Sequence, residues 1–283
     1  MSGRIERIDA HHHVWSLARG DYDWLQPTLA LAAIHRDFSL ADLRPQLDAA
    51  QIEATVLVQA APTVAETRFL LDVARSSGGL VRGVVGWADL SAADAVATLE
   101  RLAREPLLKS IRPMLQDLPD ADWIDRPEVQ PALAALPQLG LRLDALVKPR
   151  ELKALLRALE RYPELAVVID HCAKPEIAAG NWQPWAEDLG ALARHTRAHC
   201  KLSGLVTEAG RGWTVEMLRR YVEHVLECFG TQRVLWGSDW PVVTLAASYA
   251  DWNRATGALL AQLPATDAAA IRGGNARRFY GLA

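Results

Sequence analysis

Two histidines one residue apart, His11 and His13, lie at the end of the first predicted strand, in the run Ile-Asp-Ala-His-His-His-Val. Side chains two residues apart on a strand point to the same side. Both imidazoles are therefore expected to reach one point, while His12 faces the opposite side. Two imidazoles in this arrangement can bind a metal ion or donate hydrogen bonds to a reacting carbonyl group.

A carboxylate follows the last predicted strand, because Leu-Trp-Gly-Ser-Asp-Trp-Pro ends an apolar segment with Asp239. A histidine pair on the first strand and a carboxylate after the last are hard to explain by packing alone. Together they predict a hydrolytic centre at the mouth of a barrel. Plainer interpretations stay open for each residue: a structural histidine, the remnant of a purification tag, or an aspartate that only stabilises a turn.

The elements that must position these groups alternate along the chain. Helices of good propensity, for example 64–77, 92–105, 150–161, 185–195 and 215–229, separate short apolar strands. The strands are predicted at 5–11, 55–59, 81–87, 108–112, 141–146, 166–171, 200–205 and 234–238. The pattern predicts a single-domain (β/α)8 barrel over residues 1–283, with a doubly wound open sheet as the alternative. Residues 18–38 are expected to form a long loop near the active-site mouth.

The composition excludes several classes of protein. The chain has 283 residues, 50% of them hydrophobic, and a formal net charge of −3. This charge favours neither nucleic acid nor a membrane surface as a partner, and no apolar run approaches the roughly 20 residues that span a bilayer. The three cysteines form no CxxC pair, which favours reduced thiols in the cytoplasm. The charged N-terminal residues do not resemble a signal peptide. The oligomeric state stays open.

Active sites of (β/α)8 barrels form at the carboxyl ends of the strands, and this rule selects the candidate residues. Three imidazoles and one carboxylate are expected to converge there and could hold one zinc ion with positions left for water: His11, His13, His171 and Asp239. His171 is expected to point inward with Val167 and Ile169. The candidates for substrate contact are Trp24, Gln59, Trp87, Arg112, Asp144, Lys174 and Glu208.

Two aspartates near the histidines are expected to be structural. Asp9 shares the predicted inward face of His11 and is interpreted as neutralising Arg7. Asp170 precedes His171 and is interpreted as capping or pairing with a neighbouring helix.

The ordered motifs resemble the amidohydrolase superfamily, and within it the sugar-lactonase branch, over nearly the whole chain. In the N-terminal half, the resemblance depends on the histidine motif ending in Val14-Trp15, on Gly20-Asp-Tyr-Asp-Trp-Leu and on Ile-Arg112. In the C-terminal half, it depends on Ile-Asp-His171 with Lys174-Pro, on Lys-Leu-Ser-Gly-Leu-Val-Thr-Glu208, on Gly-Ser-Asp239-Trp-Pro and on Gly-Asn-Ala-Arg-Arg-Phe-Tyr280. The resemblance implies a hydrolase that opens a sugar lactone, such as an aldono-1,4-lactone, by water attack, with Asp239 as the general base.

The chain departs from the two-metal members of that superfamily. Arg112-Pro113-Met114 follows the fourth predicted strand and Asp144 lies on the fifth, where those members carry a bridging lysine or acid and a histidine. The resemblance therefore implies one divalent metal ion or none, and Pro113 bears on the choice of substrate. Neutral sugar lactones fit better than dicarboxylates, because Arg112 is the only arginine placed at a strand end. Two alternatives stay open, a metal-dependent non-oxidative decarboxylase of the same superfamily and an inactive sugar-binding barrel.

Overall fold

In a computed structural model that describes residues 5–283, eight strands form one parallel sheet in chain order. The first four residues of the predicted domain lie outside the described residues. The strands are β1 Ile8–His12, β2 Ala54–Val58, β3 Val81–Gly86, β4 Leu108–Ile111, β5 Arg142–Ala145, β6 Val167–Ile169, β7 His199–Leu202 and β8 Val234–Trp236. Each strand pairs with the next one along the chain, which is the connectivity of a (β/α)8 barrel.

The barrel closes between β1 and the segment that follows β8. The backbone N–H of Asp239 donates to the His11 carbonyl at 2.8 Å, and that of His13 donates to the Trp240 carbonyl at 2.7 Å. These bonds place the first and last candidate residues side by side. The predicted single-domain barrel is confirmed, and the doubly wound open sheet is excluded.

Helices cover the outside of the barrel. The α-helices are α1 Leu40–Ala50, α2 Val64–Ser76, α3 Ala95–Leu102, α4 Gln130–Gln138, α5 Leu152–Arg161, α6 Trp185–His195, α7 Leu205–Ala209, α8 Val215–Phe229, α9 Tyr249–Leu259, α10 Ala265–Ala269 and α11 Asn275–Tyr280. Their starts follow local capping chemistry: the side chain of Thr214, for example, accepts from the backbone N–H of Met217 at the start of α8. Leu152, Leu155 and Leu159 form the buried stripe of α5. Within residues 5–283, no helix combines the length and apolar character needed to cross a membrane.

The lower part of the barrel interior is apolar and is capped by the C-terminal helix. Small and branched side chains from the strands pack there against Phe279 and Tyr280 of α11 and against Leu282. Arg142 of β5 donates to the Phe279 carbonyl at 2.5 Å, which anchors α11 to the sheet. The lower interior is therefore a packed apolar core, and the buried polar groups lie above it, towards the carboxyl ends of the strands.

Most predicted elements lie within one to three residues of their observed bounds. The sixth strand ends at Ile169, two residues before the predicted end, and the eighth ends at Trp236 rather than Ser238. The segment 18–38 contains two short 3-10 turns, at 17–19 and 29–31, and carries Trp24 to the carboxyl face of the barrel.

Candidate active site

His13, His171 and Asp239 line a cavity of about 240 Å³ at the carboxyl ends of the strands, and the fully buried His11 lies directly behind them. The Nε2 atoms of His11 and His13 are 3.2 Å apart. Asp239 Oδ1 lies 3.7 Å from His11 Nε2, 3.4 Å from His13 Nε2 and 3.9 Å from His171 Nε2. His12 points the other way and its Nε2 contacts the Thr55 hydroxyl at 2.9 Å. The four candidates of the predicted centre are therefore brought together.

An irregularity in β1 orients His11. Asp9 pairs with Thr55 but His12 pairs with Leu57, so β1 carries one extra residue between these positions. Such a bulge re-aims side chains, and bulges are common beside active sites. The predicted common face of Asp9 and His11 is wrong for this reason. Asp9 instead accepts hydrogen bonds from the Ser238 N–H at 2.8 Å and the Tyr249 hydroxyl at 3.1 Å, and burial raises the pKa of Asp9 to about 6.

A left-handed turn, not the strand, positions His171. Residues 171–174 all have φ between 49° and 58°, a run that costs free energy for residues other than glycine. The prediction that His171 lies on the sixth strand and shares a face with Ile169 is therefore wrong, although its ring does reach the site. Its Nδ1 contacts the Ser203 hydroxyl at 2.9 Å, which leaves Nε2 facing Asp239. Burial lowers the pKa of His171 to about 4, so this imidazole is neutral at pH 7.

Asp239 also has left-handed backbone, with φ of 59°. Burial alone would raise the pKa of this carboxyl. The positive charge that His171 can carry and the nearby ring of His13 outweigh the burial, so the pKa of Asp239 lies below its ordinary value. At neutral pH the site therefore combines an ionised carboxylate with a neutral His171. An ionised carboxylate in this position can accept a proton from water.

A buried ion network lies directly beneath the histidines. Lys201 Nζ is 3.1 Å from His11 Nδ1, 2.5 Å from Asp144 Oδ2 and 3.0 Å from Asp170 Oδ1, and all four side chains are fully buried. Arg112 continues the network through Asp170 Oδ2 at 3.1 Å. Burial opposes ionisation of Asp170, but the charge of Lys201 and the neighbouring His11 hold the pKa of Asp170 well below its usual range. This network fixes the orientation of His11 from below.

The structure separates the predicted substrate-contacting residues into groups. Trp24, Arg112 and Lys174 line the cavity that contains the histidines. Trp87 lines a neighbouring cavity instead. Glu208 is partly exposed beside Lys174, with Glu208 Oε1 at 3.9 Å from Lys174 Nζ.

Two of the predicted contacts are not in reach of a substrate. Asp144 is fully buried because it pairs with Lys201 and accepts from the Tyr280 hydroxyl at 2.7 Å. Gln59 is also fully buried; its side-chain amide donates to the backbone carbonyl of Arg112 at 2.8 Å, and its backbone carbonyl accepts from the Arg112 guanidinium. Both residues therefore support the site from below and behind it.

Lys201 was not predicted as part of the site, and the role predicted for Asp170 is wrong. Lys201 is flanked by Cys200 and Leu202 in a strand, and a lysine in such an apolar strand needs a buried partner. That signal was present in the sequence. Asp170 pairs with Arg112 and Lys201 inside the barrel rather than with a neighbouring helix.

The donor set fits one divalent metal ion. The mutual distances of His11 Nε2, His13 Nε2 and Asp239 Oδ1 are 3.2, 3.7 and 3.4 Å. Ligands of a tetrahedral zinc ion with bonds of about 2.0–2.1 Å lie at comparable separations. His13 Nδ1 contacts the Val58 carbonyl at 2.8 Å, so this nitrogen carries the proton and the lone pair of Nε2 is available. A second cluster of possible ligands among the described residues, His11, Asp170 and His171, overlaps the first.

Comparison with known proteins gives a consistent result over the full length. The family model described as Amidohydrolase matches residues 8–282. An L-fucono-1,5-lactonase of Burkholderia ambifaria is 48% identical over 282 residues, which cover 97% of this chain and 95% of that protein. An L-fucono-1,5-lactonase of Burkholderia multivorans is 34% identical over 98% of this chain and 96% of its own length. A crystal structure of a Burkholderia multivorans amidohydrolase with bound zinc superposes with a TM-score of 0.91 at 34% identity, covering 98% of this chain and all of that one.

Proposed function

This chain belongs to the amidohydrolase family, and from this premise we propose that it hydrolyses a sugar lactone to the corresponding aldonic acid. The observation that carries the proposal is the convergence of the Nε2 atoms of three histidines on one carboxylate oxygen, since those of His11, His13 and His171 all lie within 3.9 Å of Asp239 Oδ1. The names of the two lactonase relatives favour the six-membered 1,5-lactone ring over the 1,4-lactone expected from the sequence. The same names favour a lactonase over the decarboxylase and over an inactive barrel.

In the proposed reaction, water attacks the lactone carbonyl carbon and the bond from that carbon to the ring oxygen breaks. Asp239 accepts the proton of the attacking water and returns it to the departing ring oxygen, which becomes a hydroxyl group. Oδ1 of Asp239 faces the three imidazoles, which leaves Oδ2 as the acceptor. The product carboxylic acid ionises and releases one proton to solvent.

Cations on the cavity wall are assigned to substrate binding. Arg112 lines the cavity, where its guanidinium can donate to a carbonyl or hydroxyl oxygen of the substrate. Lys174 also lines this cavity and can hold a second oxygen. A divalent ion held by His11, His13 and Asp239 would add polarisation of the lactone carbonyl.

A pH-indicator screen of aldonolactones, run before and after treatment with a chelator, tests the proposed function. We expect acid release from at least one neutral 1,5-lactone, at a rate far above its spontaneous hydrolysis. Binding of lactones without turnover across the panel would contradict the proposal. Release of carbon dioxide from an aromatic carboxylic acid, with no lactone hydrolysis, would favour the decarboxylase instead.

Zinc binding is expected to depend on His13. Elemental analysis of the purified protein should find about one zinc ion per chain, and zinc added to chelated protein should raise Tm. His13→Ala should lose both effects. The control is His35→Ala, because His35 lies in the long N-terminal segment and lines none of the cavities described here. If added zinc does not change the Tm of the chelated protein, the side chains act without a metal ion.

Gly204→Ala is expected to displace His171. Gly204 has φ of +70°, and a Cβ atom there would lie 2.8 Å from Cγ and Nδ1 of the His171 ring. A displacement of about 1 Å can cost about 100-fold in rate, so we expect kcat to fall by that order. The matched control is Gly20→Ala, with φ of +71° and open space around the added methyl group. Both variants carry backbone strain of about 1–2 kcal/mol. Equal kcat values for the two would contradict the contact with His171.

A further inference from the structure

A second cavity of about 420 Å³ adjoins the catalytic cavity. Trp24, Met114 and Asp117 line both cavities, so the two share one wall. The catalytic cavity, at about 240 Å³, is smaller than the roughly 300–1,000 Å³ of typical ligand pockets. The mechanism described above uses no residue that belongs to the second cavity alone.

Aromatic surface dominates the walls of the second cavity. Trp24, Trp87 and Trp123 line it together with Leu90 and Leu118. The indole of Trp24 is fixed in place, because its Nε1 donates to the Ala60 carbonyl at 2.7 Å. Flat aromatic faces of this kind present apolar area to the C–H faces of a sugar ring at little entropic cost.

The charged groups of the second cavity all have one sign. Asp23, Asp89 and Asp117 contribute carboxylates, and the described lining residues include no lysine, arginine or histidine. All three aspartates are exposed at the rim. Carboxylates accept hydrogen bonds from hydroxyl groups, and they repel an anionic ligand.

We propose that this cavity binds a second, neutral sugar unit, so that the preferred substrate is a lactone whose hydroxyl group carries a glycosyl substituent. The inference rests on the proposed lactonase function. Aromatic walls with hydroxyl acceptors at the rim match a neutral sugar ring, whereas a purely apolar substituent would leave the three carboxylates unused. Pro113, which the sequence singled out as affecting substrate choice, lies in this cavity.

The test compares one monosaccharide lactone that the protein hydrolyses with its 2-O-, 3-O- and 4-O-glucosyl derivatives. At least one derivative is expected to show kcat/KM about tenfold above that of the parent lactone. Trp123→Ala should remove this gain and leave kcat/KM for the parent lactone within about twofold, because Trp123 lines only the second cavity. The matched control is Trp213→Ala, which removes a half-buried tryptophan that donates to the Ala246 carbonyl at 3.1 Å elsewhere in the fold. Tm shows that both variants are folded.

Two further derivatives identify the occupant. A glucuronosyl derivative should gain nothing over the parent lactone, because its carboxylate meets the three aspartates. An O-hexyl derivative that is hydrolysed as fast as the best glucosyl derivative would overturn the sugar assignment. The sugar assignment would also be overturned if every glucosyl derivative had a lower kcat/KM than the parent lactone, or if Trp123→Ala lowered kcat/KM equally for parent and derivative. Either result would leave the lactonase function intact. No hydrolysis of any lactone would instead remove the proposed function, and this inference with it.

Discussion

Asp239→Asn is expected to lower kcat on the preferred lactone by about 10³-fold, within the range assigned to general acid–base catalysis. Asparagine has nearly the same shape but cannot accept the proton of the attacking water at neutral pH. The fold should survive, because asparagine tolerates the left-handed backbone that this position requires, with φ of 59°. The backbone bond from residue 239 to the His11 carbonyl is also retained.

The measurements for this variant are steady-state kinetics and urea unfolding. Asp48→Asn serves as the control, because Asp48 is 65% exposed on α1 and pairs with Arg44 on the same helix. That surface change should alter stability by no more than about 0.5 kcal/mol and leave kcat unchanged. Near-normal turnover by Asp239→Asn would remove the assignment of Asp239 as the base.

Lys201→Met is expected to lower the free energy of unfolding by about 3–5 kcal/mol, the cost of leaving buried charges without a partner. Lys201 is fully buried between Asp144 and Asp170, with its Nζ at 2.5 and 3.0 Å from their oxygens. Methionine has a similar length and flexibility, so little of the loss should come from an empty space. Activity should fall as well, because His11 Nδ1 loses its contact with Lys201 Nζ at 3.1 Å.

A double variant separates charge from packing in this network. Asp144→Asn removes one of the two carboxylates that Lys201 neutralises. Lys201→Met combined with Asp144→Asn should therefore lose less stability than the sum of the two single variants. Urea unfolding of all four proteins gives the coupling free energy. A loss below about 1 kcal/mol in Lys201→Met, or simple additivity, would contradict the ion network as a source of stability.

The sequence predicts the architecture because the barrel repeats one pattern. Short, mostly buried strands of three to six residues alternate with amphipathic helices such as α5, and each strand–helix unit predicts the same fold independently. Helix bounds that depend on local signals, such as 185–195 and 215–229, agree with the observed α6 and α8. The bounds of the elements at the site are harder to predict, because residues 170–174 leave β6 in a turn that neither an apolar pattern nor a glycine indicates.

The convergence of four candidate side chains was predictable from the sequence, but the geometry of the site was not. The spacing of His11 and His13 and the position of Asp239 are local features of the sequence. The extra residue in β1 depends on its pairing with β2, and the left-handed turn at His171 depends on packing against Ser203 and Gly204. Both are tertiary effects. The placement of Asp144 and Gln59 beneath the site, rather than at its surface, has the same origin.

The contacts between β1 and the segment after β8 bear on the stage of folding at which activity can begin. Ser238 donates to Asp9 across 229 residues of sequence, and Asp239 meets His11 at the same place. A nascent chain whose last strand is still inside the ribosome therefore has the histidines but not Asp239 beside them. Under the proposed mechanism we expect such a chain to be inactive, so that turnover begins only after the barrel has closed.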